Sequence, residues 1–277
     1  MSAASCSPNF LKGKEMIKNK QNKVDIINIM STNNMPYVSF CEFDFVKDNL
    51  IPCRKKSELP QNAKTIILAI FPYKVKEARP EKISRYAAVP DYHTVCGGFL
   101  SAAANMLKAK FPNNEFRAFI DNSPIPEVAA AAHSGLGVLG NNGLLIHKTY
   151  GSFVFIGEIV TDLEIESDKG DKKCLDCGQC GGACLVNLRK ADCLSAVNQQ
   201  KNMPTNEQID KIKNNGYIWG CDVCSEVCPM NKDVPITYIS EFINGYRNEY
   251  KEGEPFENRA YAWRGIEVIK RNAEFFK

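Results

Sequence analysis

Eight of the twelve cysteines fall between positions 174 and 228. They read Cys174-Leu-Asp-Cys177-Gly-Gln-Cys180-Gly-Gly-Ala-Cys184, then Cys193, then Cys221-Asp-Val-Cys224-Ser-Glu-Val-Cys228-Pro229. None of the three histidines lies in this stretch, so a metal site there must be built almost purely from thiolates. The first run has the spacing C-x2-C-x2-C-x3-C. In that bacterial ferredoxin pattern three close cysteines wrap one cluster and the fourth ligates the other. The remaining cysteines repeat the pattern with a long insertion after the first of them. Crossed ligation predicts one [4Fe–4S] cluster on Cys174, Cys177, Cys180 and Cys228, and a second on Cys184, Cys193, Cys221 and Cys224. Pro229 keeps the pattern's proline, whereas Leu185 departs from it. The rival is two structural zinc sites. Zinc ribbons use two separated C-x2-C pairs and have no need of three cysteines two apart followed by a fourth. A disulfide framework is disfavoured, because residues 1–23 lack the continuous apolar core of a secretory signal and a reducing interior is expected.

A chain of 277 residues accommodates one large domain or two. No apolar run reaches membrane-spanning length, so no membrane association is expected and the cytoplasm is the expected location. A net charge of +3 neither demands nor excludes nucleic acid, so any tRNA contact must come from local patches.

Residues 10–30 predict a helix with Met16, Ile17, Ile26, Ile27 and Met30 as its apolar stripe. A short strand is expected at 36–40, and the continuous apolar run at 65–71 predicts a buried central strand. Cys41 and Cys53 read as small hydrophobes or bystanders. Tyr73 follows the strand end, where site residues often gather, although an ordinary rim tyrosine explains it as well. A helix is expected over 92–110 with Asp91 as its N-cap. His93 could donate a proton or a hydrogen bond, or be structural, and Cys96 shares its face. Residues 115–120 alternate as a strand. Pro126 then opens a short Ala-rich helix, stopped at Gly135. Asp121 thus lies between a strand end and a helix start. Capping and catalysis both suit a carboxylate there. The helix dipole favours its ionised form and burial its neutral form.

Gly135-Leu-Gly137-Val-Leu-Gly140 matches G-x-G-x-x-G but follows a helix and leads into a strand-like run, Leu144-Leu-Ile146. A dinucleotide fingerprint needs the reverse order, so the glycines are read as permitting tight turns or a close-approaching flat ligand. Residues 153–160 predict another buried strand, with a bulge or close backbone contact at Gly157. The polar stretch 161–173 marks a domain boundary. Within the insertion, Thr205 with Gln208 predicts a capping-box helix. Two helical segments are expected after Pro229, the clearer at 260–276, with Tyr261, Ile266, Ile269 and Phe276 available to pack.

Taken together, Asp-Tyr-His at 91–93, the segment from Asp121 through Pro124, Glu127, Ala130, Gly135, Gly137 and Gly140 to Asn142 and Leu145, the run Gly151-Ser152-Phe153-Val154-Phe155 with Gly157-Glu158 and Thr161-Asp162, and the cysteine array resemble the epoxyqueuosine reductase family, related to reductive dehalogenases. The resemblance covers roughly residues 35–235 and continues weakly to Arg271-Asn272. It implies an α+β fold, with a nitroreductase-like cobalamin-binding domain followed by a ferredoxin-like double-cluster domain. It also implies a helical segment at 1–34, the cobalamin-binding catalytic domain at 35–165, the two-cluster domain at 166–235 and a C-terminal helical segment at 236–277. Asp121 matches the family's catalytic acid, which needs a carboxyl still protonated near neutral pH. Cobalamin contacts are expected from Tyr73, His93, Cys96, Gly135, Gly137, Gly140, Asn142 and Ser152. The clusters would pass single electrons to cobalt, supplied by a low-potential donor such as ferredoxin or flavodoxin.

Two departures bear on the substrate. Val128 stands where the family usually has Arg, and Asn141 where it usually has Lys, so two cations suited to anionic groups are missing. The helical-repeat domain of full-length members has no counterpart in this sequence. The cobalamin reductase core is thus better supported than the tRNA substrate, and epoxyqueuosine in tRNA leads on the resemblance alone. A small molecule reduced as in dehalogenation is the alternative, and a ferredoxin-type electron carrier is the non-enzymatic one.

Overall fold

A computed structural model describes the backbone of residues 8–277 and the side chains of residues 17–277. In chain order the elements are α1 (Pro8–Thr32), β1 (Val38–Glu42), β2 (Thr65–Pro72), α2 (Arg85–Ala88), α3 (Tyr92–Lys110), β3 (Phe116–Ile120), α4 (Glu127–His133), β4 (Val138–Leu139), β5 (Leu145–Ile146) and β6 (Val154–Thr161). The helices α5 (Gln179–Ala183), α6 (Leu194–Asn198), α7 (Asn206–Asn215), α8 (Val223–Glu226), α9 (Ser240–Asn244) and α10 (Ile266–Glu274) follow. The mixture of helix and sheet is the expected α+β class.

The chain divides into two compact units that are discontinuous in sequence. One comprises residues 1–70, 99–136 and 156–170, the other 71–98, 137–155 and 171–277. These divisions fall inside β2, α3 and β6, between α4 and β4, and at 170–171 within the polar stretch 161–173.

The first unit is built on a sheet with strand order β1-β2-β6-β3. β2 is buried at every residue, as its unbroken apolar run requires. β1 pairs antiparallel with it, Val38 opposite Ala69 and Glu42 opposite Thr65. β3 pairs antiparallel with β6, Phe116 opposite Thr161 and Ile120 opposite Gly157. That ladder is continuous, so Gly157 sits in regular pairing and not at the expected bulge. On α1, Ile26 and Met30 are fully buried, whereas Ile17 and Ile27 are exposed. The buried stripe is therefore narrower than expected, and the Met16 side chain lies outside the described residues. Lys23 ties the helix down through Asp168 (2.6 Å), whose other oxygen accepts the Phe40 N–H (3.1 Å).

In the second unit, β4 and β5 form the hairpin that the glycine-rich segment leads into, with Val138 opposite Ile146. Gly140 N–H donates to Leu144 O (2.9 Å) across its turn. A core of Ile83, Ala87, Ile218, Trp219, Tyr261, Val268 and Ile269 joins α2 to α10. The buried Asn272 of α10 donates to the carbonyls of Asn198 (2.5 Å) and Ile218 (2.8 Å), and Asn198 in turn holds both backbone groups of Gly220. α7 has the predicted capping box, with Thr205 Oγ1 accepting from Gln208 N–H and Gln208 Oε1 from Thr205 N–H, and ends at Gly216 with φ +77°. The C-terminal helix is shorter than expected, because the chain at 262–264 is a 3-10 turn and Gly265, at φ +86°, precedes the helix start.

Candidate functional site

Two clusters of side chains carry chemistry, one in each unit. In the second unit the eight cysteines part into two groups of four. Cys228 lies within electrostatic reach of Cys174, Cys177 and Cys180. These four line one cavity with Asn142, Leu175 and Met230. Cys224 feels Cys221, Cys184 and Cys193, and Cys221 feels Cys193. The grouping follows from local geometry. Asp176 at φ +53° and Gly178 at φ +73° curl the first loop, Cys180 lies within α5 and Cys184 follows its last residue in extended backbone, and α5 packs against α8, which carries Cys224. Burial, then the neighbouring Cys221 thiol, pushes the Cys224 thiol up to about 11, and burial raises those of Cys221 and Cys228. Thiols held together at such a cost are natural ligands for a cation that displaces their protons. No disulfide joins any of the described cysteines. The all-sulfur donor set fits iron–sulfur clusters.

Side chains far away in sequence hold the cysteine loops. Asn231, just beyond Cys228, accepts the Ser152 N–H (2.7 Å) and donates to Ser152 Oγ (2.7 Å) and Ser225 O (2.7 Å), and Ser152 Oγ lies 3.1 Å from Ser225 Oγ. Gly151 has no room for a Cβ, which would meet Asn231. The buried Arg85 donates from its backbone N–H to Asp222 (2.6 Å) and from Nε to Glu226 (2.5 Å), flanking Cys224 on both sides in sequence. Burial pushes the Asp222 carboxyl up to about 7. Nothing local in the sequence signals Arg85 or Asn231, because their partners are remote.

The residues expected to touch cobalamin are differently placed. Tyr73 is buried, its ring 4.5 Å from Phe155, which stacks on Tyr92 at 4.2 Å. His93 stacks on Tyr92 and engages Asp91 through Nδ1 (2.8 Å). Asp91 also accepts the His93 backbone N–H (3.0 Å), the N-cap role expected of it. Cys96 has no exposed surface. Gly135, at φ +76°, packs against the backbone of Gly170, and Gly137 against Ile146 O. At Gly140, a Cβ would meet the Asn142 side chain. Asn142 accepts the Leu144 N–H (3.2 Å) and bonds the Cys224 thiol, so it sits beside both cysteine groups. Tyr73, Tyr92, His93 and Phe155 form an aromatic face suited to a flat ring system.

The first unit holds the carboxylates. Asp121 follows β3 with φ +47°, and Asn122 has φ +34°. Two successive left-handed residues that are not glycine are a strained turn, of the kind that aims a side chain at a site. Glu127 opens α4, and Glu158 lies on β6 opposite Phe119. Glu158 has no exposed surface, and neither of its carboxylate oxygens has a hydrogen-bond partner. Burial, then the Glu127 charge, holds its carboxyl well above the ordinary range. Burial, then Asp121, pushes Glu127 up to about 7. The sequence carried a signal for Glu158: it is a lone carboxylate inside the apolar run Phe153-Val-Phe-Ile-Gly-Glu-Ile-Val. Elsewhere in this unit Glu42 and His133 pair at 2.8 Å, with His133 stacked on Phe45.

Comparison with known proteins shows the family. The family described as epoxyqueuosine reductase QueG, DUF1730 matches residues 54–122. The epoxyqueuosine reductase of Lactococcus garvieae is 34% identical over 243 residues, covering 78% of this chain and 69% of that protein. The chain belongs to the epoxyqueuosine reductase family. Membership makes it a reductase, and the expected family and fold class are borne out. The solved epoxyqueuosine reductase of Streptococcus thermophilus superposes with a TM-score of 0.75 at 27% identity, over 91% of this chain and 80% of that one. An epoxyqueuosine reductase crystallised with an epoxyqueuosine-modified tRNA-Tyr stem loop has a TM-score of 0.80 at 24% identity, over 93% of this chain and 81% of that one, and so supports the fold. Among the described residues no helix is long and apolar enough to cross a membrane.

Proposed function

We propose that this chain reduces epoxyqueuosine in tRNA, using two [4Fe–4S] clusters and cobalamin. The observation that carries this reading is the parting of eight cysteines into two groups of four. Cys174, Cys177, Cys180 and Cys228 would hold one cluster, and Cys184, Cys193, Cys221 and Cys224 the other. Segment 166–235 is then the electron-delivering part, and 35–165 the part that binds cofactor and substrate. A reduced ferredoxin or flavodoxin is the class of donor such clusters call for. Support for the substrate comes from family membership and from the stem loop bound by a protein of the same fold.

When bound, cobalamin supplies a metal that takes up single electrons and delivers them to the substrate. The aromatic face offers Tyr73 and His93 to it. Asp91 fixes the orientation of the His93 ring. Asn142 and Ser152 are assigned to the walls of the site, and Gly135, Gly137 and Gly140 to the tight turns that shape it. Cys96 is assigned to packing beneath this face. Asp121 is the acid. Taking the epoxide oxygen off as water requires two electrons and two protons: Asp121 gives one proton to that oxygen as its carbon bond breaks, and solvent supplies the other.

The test is turnover by the anaerobically reconstituted chain on an epoxyqueuosine-bearing stem loop, followed as loss of one oxygen by mass spectrometry. The wild type should convert it, while Asp121→Asn should retain iron and cobalamin but not convert it. Normal conversion by Asp121→Asn would remove the assigned acid. Restoration of queuosine in a reductase-deficient strain separates a tRNA substrate from a small one.

A further inference from the structure

The insertion between Cys193 and Cys221 is a part of the cysteine array that ligation by itself does not require. It contains α7, which opens on the capping box and closes on Gly216, whose N–H donates to Ile212 O (3.0 Å) and Lys213 O (3.2 Å). The last residue of that helix is the half-buried Asn215, and its side-chain Nδ2 donates to Cys221 Sγ at 3.2 Å. Both ends of this contact are pinned. Ile212, one turn before Asn215, has no exposed surface and anchors α7. On the other side, Ile218 N–H donates to Lys82 O (2.7 Å) and Trp219 O accepts from Ser84 N–H (2.9 Å). Asn198 accepts the Gly220 N–H (3.0 Å) and donates to its carbonyl (2.8 Å). A capped helix thus delivers the amide, and a buried, hydrogen-bonded segment delivers the sulfur.

We propose that Asn215 tunes the cluster on Cys184, Cys193, Cys221 and Cys224, holding its reduction potential above the value that the four thiolates alone would give. This rests on the two-cluster reading and adds a residue that sets the energy of one of them. A neutral thiol is a weak acceptor, so an amide N–H gains little from it. A thiolate bound to iron carries negative charge and accepts far better. Its share of charge grows when the cluster takes up an electron. A donor aimed at the sulfur therefore stabilises the reduced form more than the oxidised one, and hydrogen bonds to the sulfurs are among the levers that set such potentials. The step it biases is a one-electron transfer. The reduced donor loses one electron and the cluster passes from its 2+ to its 1+ state, with no bond made or broken and no proton moved. Asn215 acts through the Cys221 sulfur and touches no substrate, so it is a positioning residue.

The test is a redox titration of the full chain, reconstituted without oxygen and followed by electron paramagnetic resonance. Asn215→Leu should still hold about eight irons. One of its two midpoints should fall, with the reduction equilibrium constant of that cluster smaller by about tenfold, or about 59 mV for one electron. Asn215→Gln keeps a donor and should recover most of the difference. Asn215→Asp keeps the shape but offers no N–H, should fall at least as far, and serves if the leucine variant does not fold. In Cys228→Ser, which retains the second cluster, adding Asn215→Leu should lower the midpoint that remains. Unchanged midpoints in the iron-loaded Asn215→Leu and Asn215→Asp chains would overturn the proposal. So would a shift confined to the cluster that Cys228→Ser removes, or an equal fall in Asn215→Gln. Failure of the two-cluster reading looks different: the wild-type chain would then take up no iron and show no midpoint at all.

Discussion

Cys228 lies with Cys174, far back in the chain, rather than with Cys224 one helical turn before it. α8 and the bend after it turn these two neighbours toward different groups. Each cysteine group therefore draws thiols from both ends of the array, and neither can assemble unless the loops at 174–184 and 221–228 are held together.

Single-cysteine variants should reveal that crossing. Cys228→Ser should lose the cluster shared with Cys174, and Cys193→Ser the other, each leaving about four irons per chain after reconstitution. Iron analysis of double variants checks it. Cys228→Ser with Cys174→Ser should be no worse than either alone, whereas Cys228→Ser with Cys193→Ser should hold almost none.

Asn231→Ala should destabilise the chain by about 2–4 kcal/mol, because it strips partners from the buried Ser152 N–H and Ser225 carbonyl. Chemical denaturation of the apo chain measures this. The variant should also take up iron poorly, since Asn231 braces the loop behind Cys228.

Stability should depend on Glu158 in one direction. Its carboxyl is held well above the unfolded value of 4.5, so the fold keeps a proton that the unfolded chain releases. That contribution is full below 4.5 and is lost as pH rises through the folded value. Glu158→Gln should therefore melt higher than the wild type at about pH 8 and show no such gain at about pH 4. Thermal scans at both pH values check the sign.

His147 should work in the opposite direction. Burial, then Lys148, lowers its imidazole to about 4, and its Nδ1 accepts N–H groups from Thr149 (3.2 Å) and Tyr150 (3.4 Å). The stability it contributes is present above the unfolded value of 6.5 and is lost as pH falls toward 4. His147→Asn, which keeps an acceptor but cannot protonate, should flatten the loss of stability on that acid side in thermal scans.

Much of this was legible where the cause is local. The apolar run of β2 and the capping box at Thr205 and Gln208 each specify their outcome within a few residues. Ile17 and Ile27 misled because an apolar residue on a helix need not face the core. Gly157 suggested a bulge, yet a glycine can also sit in a regular ladder. The remainder depends on partners distant in sequence. Arg85 meets Asp222 and Glu226, and Ser152 meets Asn231, across separations that no periodicity encodes. The same holds for the discontinuous units, whose boundaries run through β2, α3 and β6. Glu158 lies between these cases: its place in an apolar run was visible, but the company of Glu127 and Asp121 was not.

The most direct test is metal analysis of the full chain purified and reconstituted without oxygen, paired with electron paramagnetic resonance after reduction. Two all-thiolate clusters predict about eight irons per chain and signals from two reduced [4Fe–4S] centres. About two zincs per chain, with no iron and no signal, would contradict the account.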